Sequence, residues 1–269
     1  MKDTKIRWAE HTWNPMTGCT KISPGCDNCY AETIALKFGA PAFPNGFTPT
    51  FKPGKLTQLR KLKPGRVFVN SMSDVFHPDF TRQQIDEVFD EMTAQPQHDY
   101  LVLTKRPALM RNYMVGKDGW LSRRGIAKVP TQIWLGTTIE SDQYVWRADH
   151  LRDIPVDVRF LSCEPLIAPI PSLNLTGIHW VIVGGESGKG YRPMPHEWAV
   201  DLRDRCEAAD VAFFFKQSAA PRTEMGMELE GRLHEEYPYP HPADVPPTSL
   251  RFVGRYTGRH GLTLMHTLV

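Results

Sequence analysis

The feature that most constrains the fold is a regular alternation of short apolar, β-rich runs with helical stretches. Seven such runs begin at Ile6, Arg66, Tyr100, Ile133, Arg159, His179 and Ala212. Several are almost continuously apolar, which is typical of parallel strands buried on both faces. The stretches between them, such as 81–94, 141–151 and 196–208, carry helical patterns. This order predicts βαβ units and a parallel sheet.

Seven strand–helix units in one chain predict the α/β class, and within it a (β/α) barrel, partial or complete. A doubly wound open sheet is the alternative. We expect the barrel, with its N-terminal cysteine loop, to occupy residues 1–219. Beyond it, the proline-rich stretch "YPYPHPADVPP" resists regular structure. Residues 220–269 are therefore expected to form an appendage packed on the barrel.

Composition and apolar patterning bear on location. The N-terminal stretch "MKDTKIRWAEHTWNP" lacks the apolar core of a signal peptide. No apolar stretch approaches the roughly 20 residues needed to cross a bilayer. We therefore expect a cytoplasmic protein with no membrane partner. In that compartment thiols stay reduced, so clustered cysteines point to metal or redox chemistry rather than to disulfides.

The charge distribution gives only a weak indication of a partner. The formal net charge of +2 does not by itself imply nucleic acid. Residues 51–67, however, contain six basic side chains and no acidic one. A solvated helix face is the simpler interpretation. A surface that follows a phosphate backbone is the second.

The predicted strands share unusual endings. They read "SMSD", "TKRP", "TTIES", "SCEP", "GGESG" and "KQS", although core strands need no such polar residues. In a barrel of parallel strands, active-site groups collect at the edge where the carboxyl ends meet. The endings together therefore predict one polar basin.

Three of the five cysteines lie in the stretch "TGCTKISPGCDNCYAE". Cys19, Cys26 and Cys29 are spaced C-x6-C-x2-C. A C-x2-C step brings two thiolates close together around a turn, and both zinc sites and iron–sulfur clusters use it. The helical pattern that follows Cys29 would put this thiolate beside a helix N-terminus, which favours anions.

The number of local cysteines separates two metal chemistries. Structural zinc needs four protein ligands, so a distant residue such as His11, Cys163 or Cys206 would have to complete the site. A [4Fe–4S] cluster held by three thiolates leaves one iron open to another ligand. The spacing alone leaves both interpretations open.

The segment "WNPMTGCTKISPGCDNCYAE" is similar to the signature of a phage-associated family of unknown function that is grouped with the radical S-adenosylmethionine (SAM) barrels. The resemblance covers roughly residues 6–219 and includes "SMSDVFHP", "LTKRP", "TTIES", "SCEPL" and "GGESG". The first two also distantly resemble the spore photoproduct lyase branch, whose members act on nucleic acid. Two departures stand out: the usual first gap is three residues rather than six, and Asn28 replaces the usual aromatic residue before the last cysteine.

The resemblance implies a TIM-barrel-like radical SAM enzyme of unknown reaction. Cys19, Cys26 and Cys29 would hold a [4Fe–4S] cluster, and the amine and carboxylate of SAM would chelate its open iron. An external electron donor would supply the electron that cleaves SAM to methionine and a 5′-deoxyadenosyl radical. The substrate is unknown, and a nucleotide or nucleic acid is the candidate class.

The same resemblance nominates further residues. Ser71, Ser73 and Asp74 follow the second strand and are the candidates for binding the SAM amine. The "GGE" at 184–186 is not given that role, because it follows about the sixth strand. The remaining cofactor-binding candidates are Thr137, Thr138 and Glu140 for the ribose or carboxylate, and Glu164 and Glu186 for orienting substrate or cofactor.

Two residues are catalytic candidates. Lys105, together with Arg106, would meet a carboxylate or phosphate. Cys163 ends a predicted strand, and its thiol would donate a hydrogen atom to a substrate radical. The simpler interpretation of Cys163 is a small buried residue, because free cysteines are usually that.

Two other functions compete with the enzyme. One is a non-enzymatic protein in which zinc or an iron–sulfur centre stabilises the barrel while basic patches bind nucleic acid. The other is a redox protein that does not use SAM.

Overall fold

The computed structural model describes residues 4–239 and 254–257. The strands are β1 (His11–Trp13), β2 (Met16–Thr17), β3 (Thr50–Phe51), β4 (Arg66–Val69), β5 (Asp99–Thr104), β6 (Ile133–Thr138), β7 (Arg159–Cys163), β8 (Trp180–Gly184), β9 (Ala212–Gln217), β10 (Glu236–Tyr237) and β11 (Tyr256–Thr257). The α-helices are α1 (Tyr30–Phe38), α2 (Arg82–Ala94), α3 (Pro107–Val115), α4 (Trp120–Arg124), α5 (Arg147–Arg152) and α6 (His196–Ala208), with 3-10 helices at Pro24–Cys26, Pro53–Lys61 and Asp142–Tyr144.

The central element is a seven-stranded sheet in the order β1-β4-β5-β6-β7-β8-β9. Every neighbouring pair in it is parallel. The sheet curls into a half-barrel, so the prediction of a partial (β/α) barrel is confirmed at this level. The strand order never reverses, which a doubly wound sheet requires, so that alternative is wrong. All seven predicted runs supply one strand each.

The curled sheet separates two hydrophobic cores. Alternate residues of each strand face the helices and form the larger, outer core. The other alternate residues line the concave side, where the Trp180 ring packs edge to face with Trp134 and Phe214 and at a tilt with Phe160. These rings fill the amino-terminal part of the lumen. The polar basin is therefore confined to the carboxyl ends of the strands.

The helices follow the predicted segments closely. Thr81 caps α2 with a capping box, since its hydroxyl accepts from the Gln84 backbone and its own N–H donates to the Gln84 side chain. Segment 196–208 is a helix as predicted. Segment 141–151 is instead divided between a 3-10 turn and α5, and the Asp142 carboxylate in the turn accepts from the backbone and hydroxyl of Ser172.

No helix within residues 4–239 and 254–257 is long and apolar enough to cross a bilayer. The longest, α2 and α6, have 13 residues each, whereas a spanning helix needs about 20.

The chain that follows β9 covers the amino-terminal end of the half-barrel. The guanidinium of the fully buried Arg66 lies 3.7 Å from the ring centre of Tyr237 and donates to the carbonyl of Tyr239. This part of the predicted appendage therefore closes the floor of the lumen. The rest of that prediction, residues 240–253 and 258–269, lies outside the described residues.

The packing of Gly136 generates a stability prediction. A Cβ at this position would lie 2.5 Å from ring carbons of the fully buried Phe160. Gly136→Ala should therefore destabilise the fold by about 1–3 kcal/mol through overpacking, measured by urea unfolding. Gly54→Ala is the matched control, because its added Cβ meets no atom within 4 Å. Equal urea midpoints for the two variants would contradict the close packing of Phe160 against Gly136.

Candidate metal centre

The three clustered cysteines lie on one loop, residues 18–29, which we call the cysteine loop. It begins where Gly18 bridges to Ser73 and ends at Cys29, the N-cap residue of α1. All three thiols are half-buried. The position of Cys29 beside the helix N-terminus agrees with the sequence-based expectation.

The end of β4 fastens the start of this loop. The Ser73 hydroxyl donates to the Gly18 carbonyl at 2.9 Å, and the Tyr30 hydroxyl donates to the Ser71 carbonyl at 2.6 Å. The Ser71 hydroxyl itself donates to Asn14. The Ser73 side chain therefore holds the start of the loop, whereas Ser71 holds the first residue of α1 through its backbone carbonyl.

The end of β5 contacts the loop with two cations. The Lys105 amine lies 3.5 Å from the Gly25 carbonyl. Arg106 donates from Nη1 to the Cys19 sulfur at 3.4 Å and from Nη2 to the Thr20 carbonyl at 3.0 Å. The Asp74 carboxylate accepts from the same Nη1 at 3.1 Å. The predicted Asp74 is thus the partner that orients Arg106.

The end of β6 lies directly against the loop at Gly25. A Cβ on Gly25 would sit 3.1 Å from the Glu140 carboxyl group, so the loop backbone and this side chain are in close contact. Glu140 is fully buried, and its Oε2 accepts from Arg147 at 2.7 Å. Its Oε1 has no hydrogen-bond partner among the described residues. A buried acceptor is therefore offered at the loop.

The segment after β8 holds the loop from its other side through Glu186, Arg192 and Asn28, a group that we call the Glu186 clasp. Arg192 donates to the Glu186 carboxylate through Nη2 at 2.5 Å, and the same Nη2 donates to the Pro24 carbonyl at 2.8 Å. Asn28 also donates to Glu186, at 2.8 Å. Burial pushes the pKa of Glu186 upward, but the hydrogen bonds from Arg192 and Asn28 outweigh it and hold the pKa below its ordinary value.

The ends of β7 and β9 add a further ion pair to the concave side. The Lys216 amine lies 2.9 Å from Glu164 Oε1. The Ser162 hydroxyl donates to Glu164 Oε2 at 3.2 Å. A Cβ on Gly184 would come within 2.9 Å of the same carboxylate. Glu164 is thus held toward the neighbouring strand ends, as a basin residue should be.

Two predicted site residues do not reach the basin. The Thr137 hydroxyl donates across the sheet to the Thr104 carbonyl, while Thr138 occupies the alternate, concave position. Cys163 is fully buried in the outer core, and burial raises the pKa of its thiol. The structure therefore brings neither the Thr137 hydroxyl nor the Cys163 thiol toward the cysteine loop.

The donor set of the loop consists of three sulfurs. Burial raises the pKa of the Cys19 thiol and Asp74 raises it further, whereas Arg106 lowers it. Within the described residues, no three His, Cys, Asp or Glu side chains form a ready-made group of metal ligands. The cysteine ligand set therefore stays a prediction.

The distant residues considered for a fourth zinc ligand lie elsewhere. The His11 imidazole bonds the Lys63 carbonyl, away from the loop, and Cys163 and Cys206 are buried in the outer core. His77 does reach the loop, with Nε2 at 2.8 Å from the Thr20 hydroxyl.

A family model described as "Protein of unknown function (DUF5131)" matches residues 3–238. The chain belongs to the DUF5131 family. Comparison with curated proteins gives no match, and comparison with solved structures gives none either. The DUF5131 match spans the whole sheet and the cysteine loop, so these two features belong to the same family unit.

Several residues that build this DUF5131 site were missed from the sequence. Asn28 was noted only for the aromatic residue it replaces, yet it bonds Glu186. Arg192 stands six residues after Glu186 and makes the main contact of the clasp. Arg147 lies on α5, seven residues after Glu140, and pairs with it. For Glu140 and Glu186, an arginine six or seven residues further along the chain was the available signal.

The Glu186 clasp generates a pH prediction. Because the folded pKa of Glu186 lies below its ordinary value, the ionised clasp stabilises the loop above that ordinary value. The stabilisation is lost as the pH falls through the folded pKa. Glu186→Gln should lower amide-exchange protection of residues 186–192 about tenfold near neutral pH and remove its acid dependence.

The measurement is hydrogen exchange with mass spectrometry, corrected for intrinsic rates. Glu197→Gln, at an exposed glutamate early in α6, is the matched control. If both variants keep the protection and the pH profile of the unmodified protein, the clasp does not hold the loop.

Proposed function

We propose that this DUF5131 protein is a radical SAM-like iron–sulfur enzyme that reductively cleaves SAM and acts on a nucleotide or nucleic-acid substrate. One observation carries the proposal. A loop with three cysteines is fastened across the carboxyl ends of parallel strands by side chains from β4, β5 and β8, with the β6 end packed against it. In barrels of this architecture, that edge holds the active site.

The residues at the mouth suit the proposed cofactors. Cys19, Cys26 and Cys29 would hold the cluster through three sulfurs, leaving one iron for SAM. When bound, the pair supplies one-electron reductive cleavage of a carbon–sulfur bond. The orphaned Oε1 of Glu140 supports a ligand here, because an unsatisfied buried acceptor is costly unless a donor such as a ribose hydroxyl meets it.

The chain itself would position the reactants and exclude water. The aromatic floor closes the lumen from below, and the cysteine loop covers its polar end. Lys105 carries a cation to the underside of the loop, suited to a carboxylate or phosphate. The Glu164–Lys216 pair fixes a carboxylate and an amine on the opposite strand ends. Such fixed charges stabilise and orient polar groups without reorganisation.

The basic run gives limited support for nucleic-acid binding, and it does so away from the cysteine loop, because Lys63 precedes the start of β4, where its carbonyl bonds His11. Of its six basic residues, Arg66 is fully buried and Arg60 is paired with Glu91. Lys55, Lys61 and Lys63 are exposed on or beside the second 3-10 helix. If this surface binds a phosphate backbone, Lys61→Ala with Lys63→Ala should weaken retention of single-stranded nucleic acid and flatten its salt dependence. Unchanged retention would remove nucleic acid from the proposal.

The cofactor proposal is tested on protein purified without oxygen. We expect a brown protein with about four iron and four sulfide per chain, and 5′-deoxyadenosine after reduction with SAM present. Cys26→Ala should lose the iron, the colour and the product, because a ligand is removed. Cys206→Ala, which removes a buried thiol on α6, is the matched control and should keep all three.

The outcomes distinguish the competing functions. Colourless protein with stoichiometric zinc would contradict the proposed enzyme activity. It would favour the non-enzymatic, metal-stabilised protein that binds nucleic acid. An intact cluster that yields no 5′-deoxyadenosine would favour a redox protein without SAM.

A further inference from the structure

Arg106 is the one strand-end cation that contacts a sulfur of the cysteine loop within the described chain. It is the N-cap residue of α3, and its side chain is 8% exposed. Its Nη1 donates to the Cys19 sulfur at 3.4 Å. Its Nη2 donates to both the carbonyl and the hydroxyl of Thr20, each at 3.0 Å. The guanidinium thus spans two consecutive loop residues.

The orientation of this guanidinium is fixed from behind. Asp74 accepts from Nη1 at 3.1 Å, and the Asp74 carboxylate also accepts the Thr104 hydroxyl at 2.7 Å and the Phe76 backbone at 3.0 Å. The Arg106 backbone N–H is bound by the same threonine hydroxyl at 2.8 Å. The carboxylate, the threonine and the arginine therefore form one rigid buried unit.

Holding the loop in place does not require the contact between Arg106 and the Cys19 sulfur. The Thr20 contacts alone would hold the backbone, and Asp74 alone would satisfy the positive charge. The sulfur contact instead directs a cationic N–H at a ligand atom. A hydrogen bond from a charged donor is stronger than a neutral one. Hydrogen bonds to ligand sulfurs are among the means by which a protein sets the reduction potential of a cluster.

We propose that Arg106 is a positioning residue that holds the Cys19 sulfur by an Nη1–H···S hydrogen bond and thereby raises the reduction potential of a cluster bound on the loop. The inference rests on the proposed iron–sulfur function. The bond withdraws electron density from the sulfur, so the reduced cluster is stabilised relative to the oxidised one. Asp74 acts behind Arg106 by keeping the donor aimed.

The test compares three variants after anaerobic reconstitution. Arg106→Gln removes the charge and the fork. Arg106→Lys keeps the charge but cannot reach Asp74, Thr20 and Cys19 at once. Arg111→Gln is the control, because it removes an exposed arginine of the same helix that also pairs with an aspartate, Asp153. The readouts are iron and sulfide content and the reduction potential from a spectroscopic redox titration.

We expect Arg106→Gln to lower the ratio of reduced to oxidised cluster at fixed potential at least tenfold, which corresponds to about 59 mV for a one-electron couple. Arg106→Lys should shift in the same direction by less, and the control should match the unmodified protein. If the glutamine variant does not retain its cluster, the reduction potential of the lysine variant tests the inference.

Three results would overturn the inference. Unshifted potentials in both Arg106 variants would mean that the contact does not act on the cluster. A shift with glutamine but none with lysine would assign the effect to charge rather than to the hydrogen bond. Unmodified protein without iron would contradict the proposed function first and remove the basis of the inference with it.

Discussion

The candidate site depends on the ion pair between the buried Asp74 carboxylate and Arg106. The carboxylate lies just beyond β4 and accepts hydrogen bonds from the backbone of Phe76 and from the hydroxyl of Thr104 on β5. It also orients Arg106, which in turn holds Cys19 and Thr20. One buried anion thus joins two strand ends to the cysteine loop. Removing it would leave the guanidinium buried without its charge partner, which is among the most costly changes a folded protein can suffer.

The half-barrel divides its interior by polarity. Large rings fill the amino-terminal part of the concave side, and charged side chains occupy the carboxyl ends of the same strands. Period-two alternation produces this division, since successive inward positions on one strand run from Trp134 through Gly136 to Thr138. The small residue at the middle level lets the Phe160 ring cross beneath the polar layer. Each charged group above that layer is held by a partner on a neighbouring element, so the basin is preorganised rather than merely polar.

Much of the scaffold was predictable, because it follows from local patterns. The seven apolar runs gave the strands, and the apolar face and capping residues of 81–94 gave α2. The position of Cys29 at a helix start was also readable. The orientation of strand residues was not: both faces of these strands are buried, so Thr137 and Thr138 look alike in the sequence. For the same reason Cys163 could be placed on β7 but not on a face. Pairings such as Glu140 with Arg147 and Glu186 with Arg192 depend on how loops fold back, which no local pattern records.

The central claim is that three cysteines hold a cluster whose fourth iron is open to SAM. Electron paramagnetic resonance of the reduced, anaerobically purified protein tests it most directly, because a ligand that binds the open iron changes the electronic environment of the cluster and hence its signal. The account predicts a reduced [4Fe–4S] signal whose shape changes when SAM is added. A cluster signal that SAM leaves unaltered, or no iron signal at all in protein that carries zinc, would contradict it.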